Sequence, residues 1–293
     1  MKTPLLPSLA LLLILTGGCQ KPAAVSSGAT ATPPRVVSLA PSLTEIICAI
    51  GAADLLVGRT SACDYPPEVV KHVPVVGGFG APSLERLLAV KSSLVLDVAL
   101  ADEVTGRKIE NLGIRRQRIN CSTLDSIPKA ILSVGRALGR EEKASQVAGA
   151  FRTELARLRR EQPPAGKRPT VFVEIWPDPV MTAGRKSLVS ELVTLAGGRN
   201  IGDELTQEYA RVSTEWTVAR DPEVVLCLYD VTAAKAQAAN QERTGWKTMR
   251  AVRNGRVYSG FDLNLLLRPG PRVLLGVPLL RNCLQANPLP KEK

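Results

Sequence analysis

The feature that most constrains this chain is one long amphipathic stretch, residues 140–161, near the middle of its 293 residues. Apolar side chains recur there at the three- and four-residue spacing of one helical face, and Glu, Lys, Gln and Arg occupy the other face. At 1.5 Å per residue this helix would be roughly 30 Å long, about the diameter of a small domain. It ends before Pro163 and Pro164, which a helix cannot continue through. The apolar face consists of Ala144, Val147, Ala148, Phe151, Leu155 and Leu158.

Segments typical of strands and of helices alternate on both sides of this stretch. Such alternation predicts a parallel sheet covered by helices on both faces. We therefore expect two α/β lobes, residues 35–139 and 163–285, bridged by a single long helix at 140–162 and followed by a tail at 286–293. An ordinary amphipathic helix packed on one domain has the same periodicity, so that alternative stays open at this point.

The first 34 residues indicate export. Residues 1–19 carry a positive Lys2, a short apolar run and small residues before Cys19, as a signal peptide does, and the run is too short to span a bilayer as a mature helix. The ending Leu-Thr-Gly-Gly-Cys resembles a bacterial lipobox, which implies lipid attachment at Cys19; a plain secretory peptide is the alternative. Residues 20–34 are typical of a flexible tether. We expect a membrane-anchored lipoprotein in the periplasm or on the cell surface.

Composition argues against nucleic-acid binding and against catalysis. The net charge is +11, but Lys and Arg are scattered and aromatic residues make up only 4% of the chain, so we interpret the charge as solvated surface. His72 is the single histidine and is expected at the surface. The sequence contains no G-x-S-x-G motif, no phosphate-binding loop and no metal-ligand spacing, which predicts a protein that is not an enzyme.

The cysteines do not form a recognisable framework. Five remain after Cys19, an odd number, and none lies in a C-x-x-C pair. Cys48 and Cys227 lie in apolar runs and are expected to be small core residues.

One helix–strand unit is repeated in the two halves of the chain. Ser83 precedes Glu85 by two residues, Ser213 precedes Glu215 by two residues, and an apolar strand opens at the same distance after each Glu. A Ser that caps a helix and a Glu that favours its first turn explain each site alone. They explain the matched placement in two lobes less well, so the spacing predicts an internal repeat. By similar capping logic, Ser42 is predicted as the N-cap of a helix at 43–50, with Glu45 three residues later at the capping-box spacing. A closing helix is predicted at 271–284.

Ligands of open α/β sheets bind outside the carboxyl ends of the strands. That rule selects the loops around Phe79, Val98, Trp176, Tyr209 and Arg268. The three aromatic residues follow or lie in loops, which favours exposure in a cleft over packing in the core. Core packing remains the alternative for each.

Several motifs, in this order and spacing, resemble one family. They are the segments 35–45 and 83–91, the loop Asp64-Tyr65-Pro66-Pro67, and the segment 268–272. Together they resemble the periplasmic substrate-binding proteins of iron-siderophore, haem and vitamin B12 ABC importers, over nearly the whole mature chain. The resemblance implies a class III periplasmic binding protein of the helical-backbone metal receptor type, in which a single long helix bridges two α/β lobes. It also implies limited hinge motion and a monomer.

Within this family the chain is most similar to the members that bind vitamin B12. The resemblance implies a protein that captures a corrinoid between its lobes, hands it to the permease of an ABC importer, and has no cofactor of its own. A ferric siderophore or haem is the alternative ligand. An enzyme on the same scaffold, or a lipoprotein that binds only protein partners, are the alternatives from other classes.

The resemblance also implies residue roles. Phe79, Tyr209 and Trp176 match or lie near aromatic ligand contacts, and Arg268 matches a basic residue of the cleft. Tyr65, like Tyr209, would be available to iron if the ligand were haem.

Two glutamates acquire a docking role from the resemblance. Glu85 and Glu215 fall where one surface Glu on each lobe docks against arginines of the permease. Three positions depart from the family: Ala62 and Val98 replace aromatic residues, and no cysteine lies near Ala196 to pair with Cys283, so no disulfide is predicted there.

Overall fold

Two β-sheets, each covered by helices, are bridged by one long helix. The computed structural model describes residues 32–98 and 102–285. The predicted signal peptide with Cys19, nearly all of the predicted tether, and the tail at 286–293 lie outside the described residues. Within the described ranges, no helix combines the length and the apolar character needed to cross a membrane.

The first sheet has the strand order β4-β3-β2-β1-β5-β6, and all its neighbours are parallel except the β3–β4 pair. Its strands are β1 Val36–Ser38, β2 Leu56–Thr60, β3 Val75–Gly78, β4 Ala81–Pro82, β5 Leu94–Asp97 and β6 Arg115–Arg118. The helices in this half of the chain are α1 Pro41–Ala49, α2 Pro67–Val70, α3 Leu84–Ala89, α4 Glu103–Asn111 and α5 Ile127–Leu138, followed by the bridging helix α6 Glu141–Arg160.

The second sheet has the order β10-β8-β7-β11-β12, with β9 paired to β7. Its strands are β7 Thr170–Pro177, β8 Val180–Ala183, β9 Arg199–Asn200, β10 Tyr209–Arg211, β11 Val224–Cys227 and β12 Val257–Tyr258. The helices are α7 Leu188–Ala196, α8 Thr214–Arg220, α9 Ala233–Glu242, α10 Arg250–Arg253, α11 Asn264–Leu267 and α12 Gly276–Gln285.

Helix α6 belongs to both lobes. Its apolar face is buried, apart from the half-buried Val147, and it packs on α5 of the first lobe and on α7 of the second. One hydrophobic core runs from Val36 in the first sheet through Phe151 to Val173 in the second sheet. The contact with α5 is close, since a Cβ added to Gly135 would lie 2.2 Å from that of Ala144. The expected two lobes bridged by one long helix are therefore confirmed, and the alternative of a helix on one domain is wrong.

The internal repeat is also confirmed. The Ser83 hydroxyl accepts a hydrogen bond from the Arg86 amide (3.3 Å) where α3 begins, and the Ser213 hydroxyl accepts one from the Trp216 amide (3.1 Å) where α8 begins. The strands that follow occupy equivalent places, because β5 lies parallel to β1 and β11 lies parallel to β7.

The predicted N-cap at Ser42 is wrong. Helix α1 begins at Pro41, and its N-cap is Ala40, which makes no side-chain capping bond. Proline is favoured at a first helical position because its fixed φ suits the helix and its missing N–H would be unpaired there anyway. Glu45, expected to help the cap, is buried and binds Arg272 instead.

Four further segments differ from the prediction. Trp176 and Pro177 belong to β7, and Tyr209 opens β10, although both places were expected to be loops. Residues 77–80, expected to be a loop, form the β3–β4 hairpin. The closing helix expected at 271–284 is a 3-10 turn, Val273–Leu275, followed by α12. In each case the element is set by pairing or packing with distant residues, which local patterns do not report.

Ion pairs join the segment after α11 to the first lobe. Arg272 donates to both oxygens of Glu45, at 3.0 and 2.7 Å, and its guanidinium lies 3.4 Å from the centre of the Tyr65 ring. Arg268 forms a bidentate pair with Asp64. We expect these contacts, together with the shared core, to restrict movement of one lobe against the other.

We predict that Arg272→Met lowers the free energy of unfolding by about 3 kcal/mol, because it leaves the buried Glu45 carboxylate without its partner. Urea denaturation measures the change. The double variant Glu45→Gln, Arg272→Met should recover most of the loss. The control Arg157→Met removes exposed pairs with Glu154 and Glu161 and should cost less than about 1 kcal/mol. Equal effects of the two single variants would contradict the prediction.

Candidate functional site

The first lobe presents an aromatic ring at the carboxyl edge of its sheet. Phe79 lies in the two-residue turn between β3 and β4, next to Gly80, whose φ of +69° is readily adopted by glycine. Its side chain is 56% exposed. Since β3 runs parallel to β2, this turn lies beyond the carboxyl end of the strands, where the topology rule places a ligand.

The second lobe presents a ring at the corresponding edge. Trp176 lies one residue before the end of β7, is 54% exposed, and donates its indole N–H to the Asp178 carbonyl at 2.9 Å. A β-bulge separates Glu174, which pairs with Thr182, from Trp176, which pairs with Met181. The bulge turns Trp176 to the sheet face opposite that of Glu174.

A row of side chains continues from Trp176 across the sheet. Met181 pairs with Arg211 of the edge strand β10 as well as with Trp176. Directly opposite residues on neighbouring strands share a face, so Trp176, Met181 and Arg211 form one row. Met181 and Arg211 were not predicted as site residues, because β10 is only three residues long and its register cannot be inferred from its sequence pattern.

Tyr209 lies outside the row formed by Trp176, Met181 and Arg211. It pairs with Ala183, two residues away from the Met181–Arg211 pair and roughly 7 Å towards the amino edge of β7. Its side chain is 36% exposed. Burial, and secondarily the charge of Glu208, raises the pKa of Tyr209 to about 12, so the phenol is neutral at neutral pH.

Tyr65 and Arg268 are already engaged by neighbouring side chains. The Tyr65 ring is covered by the Arg272 guanidinium and lines a cavity of about 310 Å³ together with Glu45 and Cys48. Arg268 donates two hydrogen bonds to the Asp64 carboxylate, one of them at 3.0 Å. It donates a third to the Ala62 carbonyl at 3.3 Å. The hydrogen bond from Arg268 holds the pKa of Asp64 below its ordinary value.

A charged cluster lies at the carboxyl edge of the first sheet. The buried Asp97, at the end of β5, pairs with Arg116 at 2.7 Å and with Arg118 at 3.5 Å. Arg118, at the end of β6, is half exposed and also binds Glu103. Strand β6 was not predicted, because its sequence Arg-Arg-Gln-Arg has no alternation of apolar and polar residues.

The arrangement is suited to binding rather than to nucleophilic chemistry. The five cysteines in the described residues are unpaired, and burial raises the pKa of Cys48 to about 11 and that of Cys227 to about 12. These thiols are therefore protonated at neutral pH. Cys227 is buried as expected, whereas Cys48 is only half-buried. His72 is exposed, as predicted, and residues 32–98 and 102–285 contain no group of three or more His, Cys, Asp or Glu that could hold a metal ion.

The two glutamates predicted to dock are exposed on equivalent helices. Glu85 is the second residue of α3 and Glu215 the second residue of α8. The backbone and the Ser213 hydroxyl hold the pKa of Glu215 below its ordinary value, so it is ionised at neutral pH. The turn that carries Phe79 leads through β4 directly into α3.

Comparison with known proteins identifies the family. The family described as periplasmic binding protein matches residues 36–262, more than half of the chain. The chain belongs to the periplasmic binding protein family. The predicted family membership is thereby confirmed, and an extracytoplasmic location follows from it.

Two relatives illustrate the similarity in sequence. An uncharacterised ABC transporter substrate-binding lipoprotein of Bacillus subtilis is 31% identical over 254 residues, covering 84% of this chain and 78% of the relative. A vitamin B12-binding protein of Pectobacterium carotovorum is 30% identical over 266 residues, covering 89% and 91%. Both names describe binding proteins and not enzymes, which confirms the non-enzymatic prediction.

Solved structures share the fold. A periplasmic haem-binding protein from Roseiflexus has a TM-score of 0.75 at 27% identity, covering 87% of this chain and 100% of its own. The periplasmic vitamin B12-binding protein of Vibrio cholerae has a TM-score of 0.72 at 27% identity, covering 86% and 97%. The class III periplasmic binding protein fold is confirmed by these similarities, and the roles assigned to individual residues stay predictions.

We predict a pH-dependent contribution from Asp64. Because its folded-state pKa is lowered, its contribution to stability is present above the unfolded pKa of about 3.9 and is lost as the pH falls through the folded-state pKa. Asp64→Asn should therefore lower the free energy of unfolding at pH 7, by less than about 1 kcal/mol since Asp64 is half exposed, and the difference should vanish in acid. Asp230→Asn, an exposed control after β11, should show no such pH dependence. A difference that persists at pH 2 would contradict the prediction.

Proposed function

We propose that this protein captures a large, flat metal chelate between its two lobes and delivers it to an ABC importer. The observation that carries the proposal is the pair of exposed rings, Phe79 and Trp176, at the carboxyl edges of the two sheets. Exposed large aromatic side chains are costly to leave in water and stack well on flat apolar ligands. Tyr209 extends the aromatic surface of the second lobe below Trp176.

A corrinoid such as vitamin B12 is the ligand that we favour. Iron in haem commonly takes an axial histidine or tyrosinate from the protein. His72 lies before β3, at the amino end of that strand, and Tyr209 lies outside the row that contains Trp176. Tyr65 is stacked under Arg272. These observations support a chelate whose metal needs no ligand from this chain. The similarity to vitamin B12-binding proteins supports the same choice.

Haem or a ferric siderophore is the second candidate, and the arginines favour it. Arg118 at the edge of the first sheet and Arg211 in the row with Trp176 could pair with carboxylates or other anionic groups of such chelates. Arg268 could do so only by leaving Asp64. The haem-binding structural relative supports the same alternative.

We predict tight one-to-one binding of cyanocobalamin, measured by isothermal titration in parallel with haemin and a ferric hydroxamate siderophore. Phe79→Ala and Trp176→Ala should each weaken binding by about 1.5–3 kcal/mol, or roughly 10- to 150-fold in Kd, because each removes a stacking surface. Leu275→Ala, an exposed apolar control on the 3-10 turn before α12, should change nothing.

The outcomes of these titrations separate the candidates. Binding of haemin or siderophore alone would keep the family and replace the ligand. Binding of none of the three, or full affinity after both aromatic substitutions, would contradict the proposal and favour a lipoprotein that binds only protein partners.

We further propose that Glu85 and Glu215 dock on the permease. Their support is exposure, the matched position on two capped helices, and the charge that pairs with basic residues of a partner. Two carboxylates on separate rigid helices would fix the orientation of the protein and steer its approach. Each exposed ion pair should add little affinity.

We predict that Glu85→Ala with Glu215→Ala abolishes most ligand uptake by cells and leaves the Kd for the ligand nearly unchanged. Uptake of labelled ligand and isothermal titration measure the two effects. Glu110→Ala, an exposed glutamate on α4, is the control and should leave uptake intact. Normal uptake in the double variant would remove the docking assignment.

We also propose that residues 1–19 are a lipoprotein signal peptide, that Cys19 carries the lipid, and that the protein acts as a membrane-anchored monomer. The support is the lipobox-like ending in the sequence and the lipoprotein name of the Bacillus subtilis relative.

A further inference from the structure

A buried carboxylate lies within β7, two residues before Trp176. Glu174 is fully buried and accepts hydrogen bonds from Arg243, from the Tyr229 hydroxyl at 3.0 Å and from the Cys227 thiol at 3.4 Å. Burial raises the pKa of Cys227 to about 12 and raises the pKa of Tyr229 as well, so both groups keep the protons that they donate. The carboxylate is therefore held in one orientation by three donors.

Arg243 also binds the backbone on the far side of Trp176. Its Nη2 donates to the Pro177 carbonyl at 3.0 Å, while its Nη1 binds Glu174. Its guanidinium carbon lies 4.4 Å from the centre of the buried Trp246 ring, which fixes the plane of the fork. We call the set Glu174, Arg243 and Pro177 the Arg243 clamp.

The Arg243 clamp brackets the β-bulge. Glu174 pairs with Thr182 on one side of the irregularity, and Trp176 pairs with Met181 on the other. The Thr182 hydroxyl donates to the Val173 carbonyl at 2.8 Å, within the same distorted stretch. In a regular strand Trp176 would share the face of Glu174, since side chains two residues apart point the same way. The bulge is therefore what places Trp176 in the row with Met181.

Stability alone gives a weak reason for an ion pair at this position. Replacing a buried pair by apolar residues of similar volume is often neutral or stabilising, whereas a buried pair can specify one geometry. The rigid planar fork of arginine can bind a carboxylate and a carbonyl at the same time, which a lysine cannot imitate. A group that spans both sides of a bulge is thus suited to fixing it.

We propose that Arg243 is a positioning residue, which together with Glu174 holds the bulge that turns Trp176 towards the ligand. This proposal rests on the proposed role of Trp176 in ligand binding. Arg243 acts through the backbone of β7 and touches no ligand. The orientation of the Trp176 ring then sets how a flat chelate lies against the second lobe.

The test is a double-mutant cycle between Arg243 and Trp176. Arg243→Met should weaken binding of the ligand found by titration of cyanocobalamin, haemin and the ferric siderophore about tenfold in the parent. In the Trp176→Ala background the same change should alter Kd less than about twofold, because the ring that Arg243 positions is gone. Arg243→Lys should behave like Arg243→Met.

Two further variants control for simple destabilisation. Glu174→Gln combined with Arg243→Met removes the buried charge along with its partner, so it should fold and still show the affinity loss. Arg220→Met removes an arginine that lies 3.9 Å from the centre of the Trp216 ring and pairs with Glu204, away from the bulge. It should leave the affinity unchanged.

A measurement without ligand separates this proposal from the proposed function. Acrylamide quenching of tryptophan emission, compared between each protein and its Trp176→Ala partner, reports the exposure of Trp176. Arg243→Met should change the contribution of Trp176 to the quenching, whether or not Trp176 binds the ligand. If Trp176→Ala leaves ligand binding intact, only the role of Trp176 in the proposed function is removed. Unchanged quenching, or an equal loss of affinity in both backgrounds, would overturn the positioning role of Arg243.

Discussion

The buried face of α6 is the constraint on which the rest of the structure depends. Phe151 and its apolar neighbours on this helix complete a core that extends into both sheets. The opposite face of each sheet packs a smaller core of its own. A gap between such lobes can exist only where their edges diverge from the helix. Under the proposed function, the carboxyl edges that carry Phe79 and Trp176 would form a binding site that is largely set before a ligand arrives.

Ion pairs and hydrogen bonds supplement the apolar packing along α6. The pairs Arg272–Glu45 and Arg268–Asp64 join the segment after α11 to the first lobe, and the Leu124 amide donates to Glu191 of α7 at 2.7 Å. Exposed pairs such as Arg268–Asp64 contribute little stability, and the buried Glu45 mainly fixes geometry. We therefore expect the shared core, supported by these ion pairs, to limit hinge motion between the lobes.

Sequence patterns predicted the elements whose signals are local. The periodicity of α6, the Ser83 and Ser213 caps and the apolar strands at the sheet centres all appear as expected. Elements defined by pairing were missed: β6 reads as four polar residues, and β10 has three residues. For the same reason no pattern could show that a bulge turns Trp176 beside Met181, or that Arg211 completes their row. The exposure of Phe79 and Trp176 was predictable, but their surroundings were not.

Small-angle X-ray scattering with and without bound ligand tests the central claim most directly. A site preformed between lobes that share one core predicts a change in radius of gyration below about 1 Å when the chelate binds, as in other pre-organised complexes. The measurement should compare the ligand-free protein with the same protein at saturating ligand. A decrease of several ångström would contradict the account, because it would show that the lobes close about a hinge that the shared core does not permit.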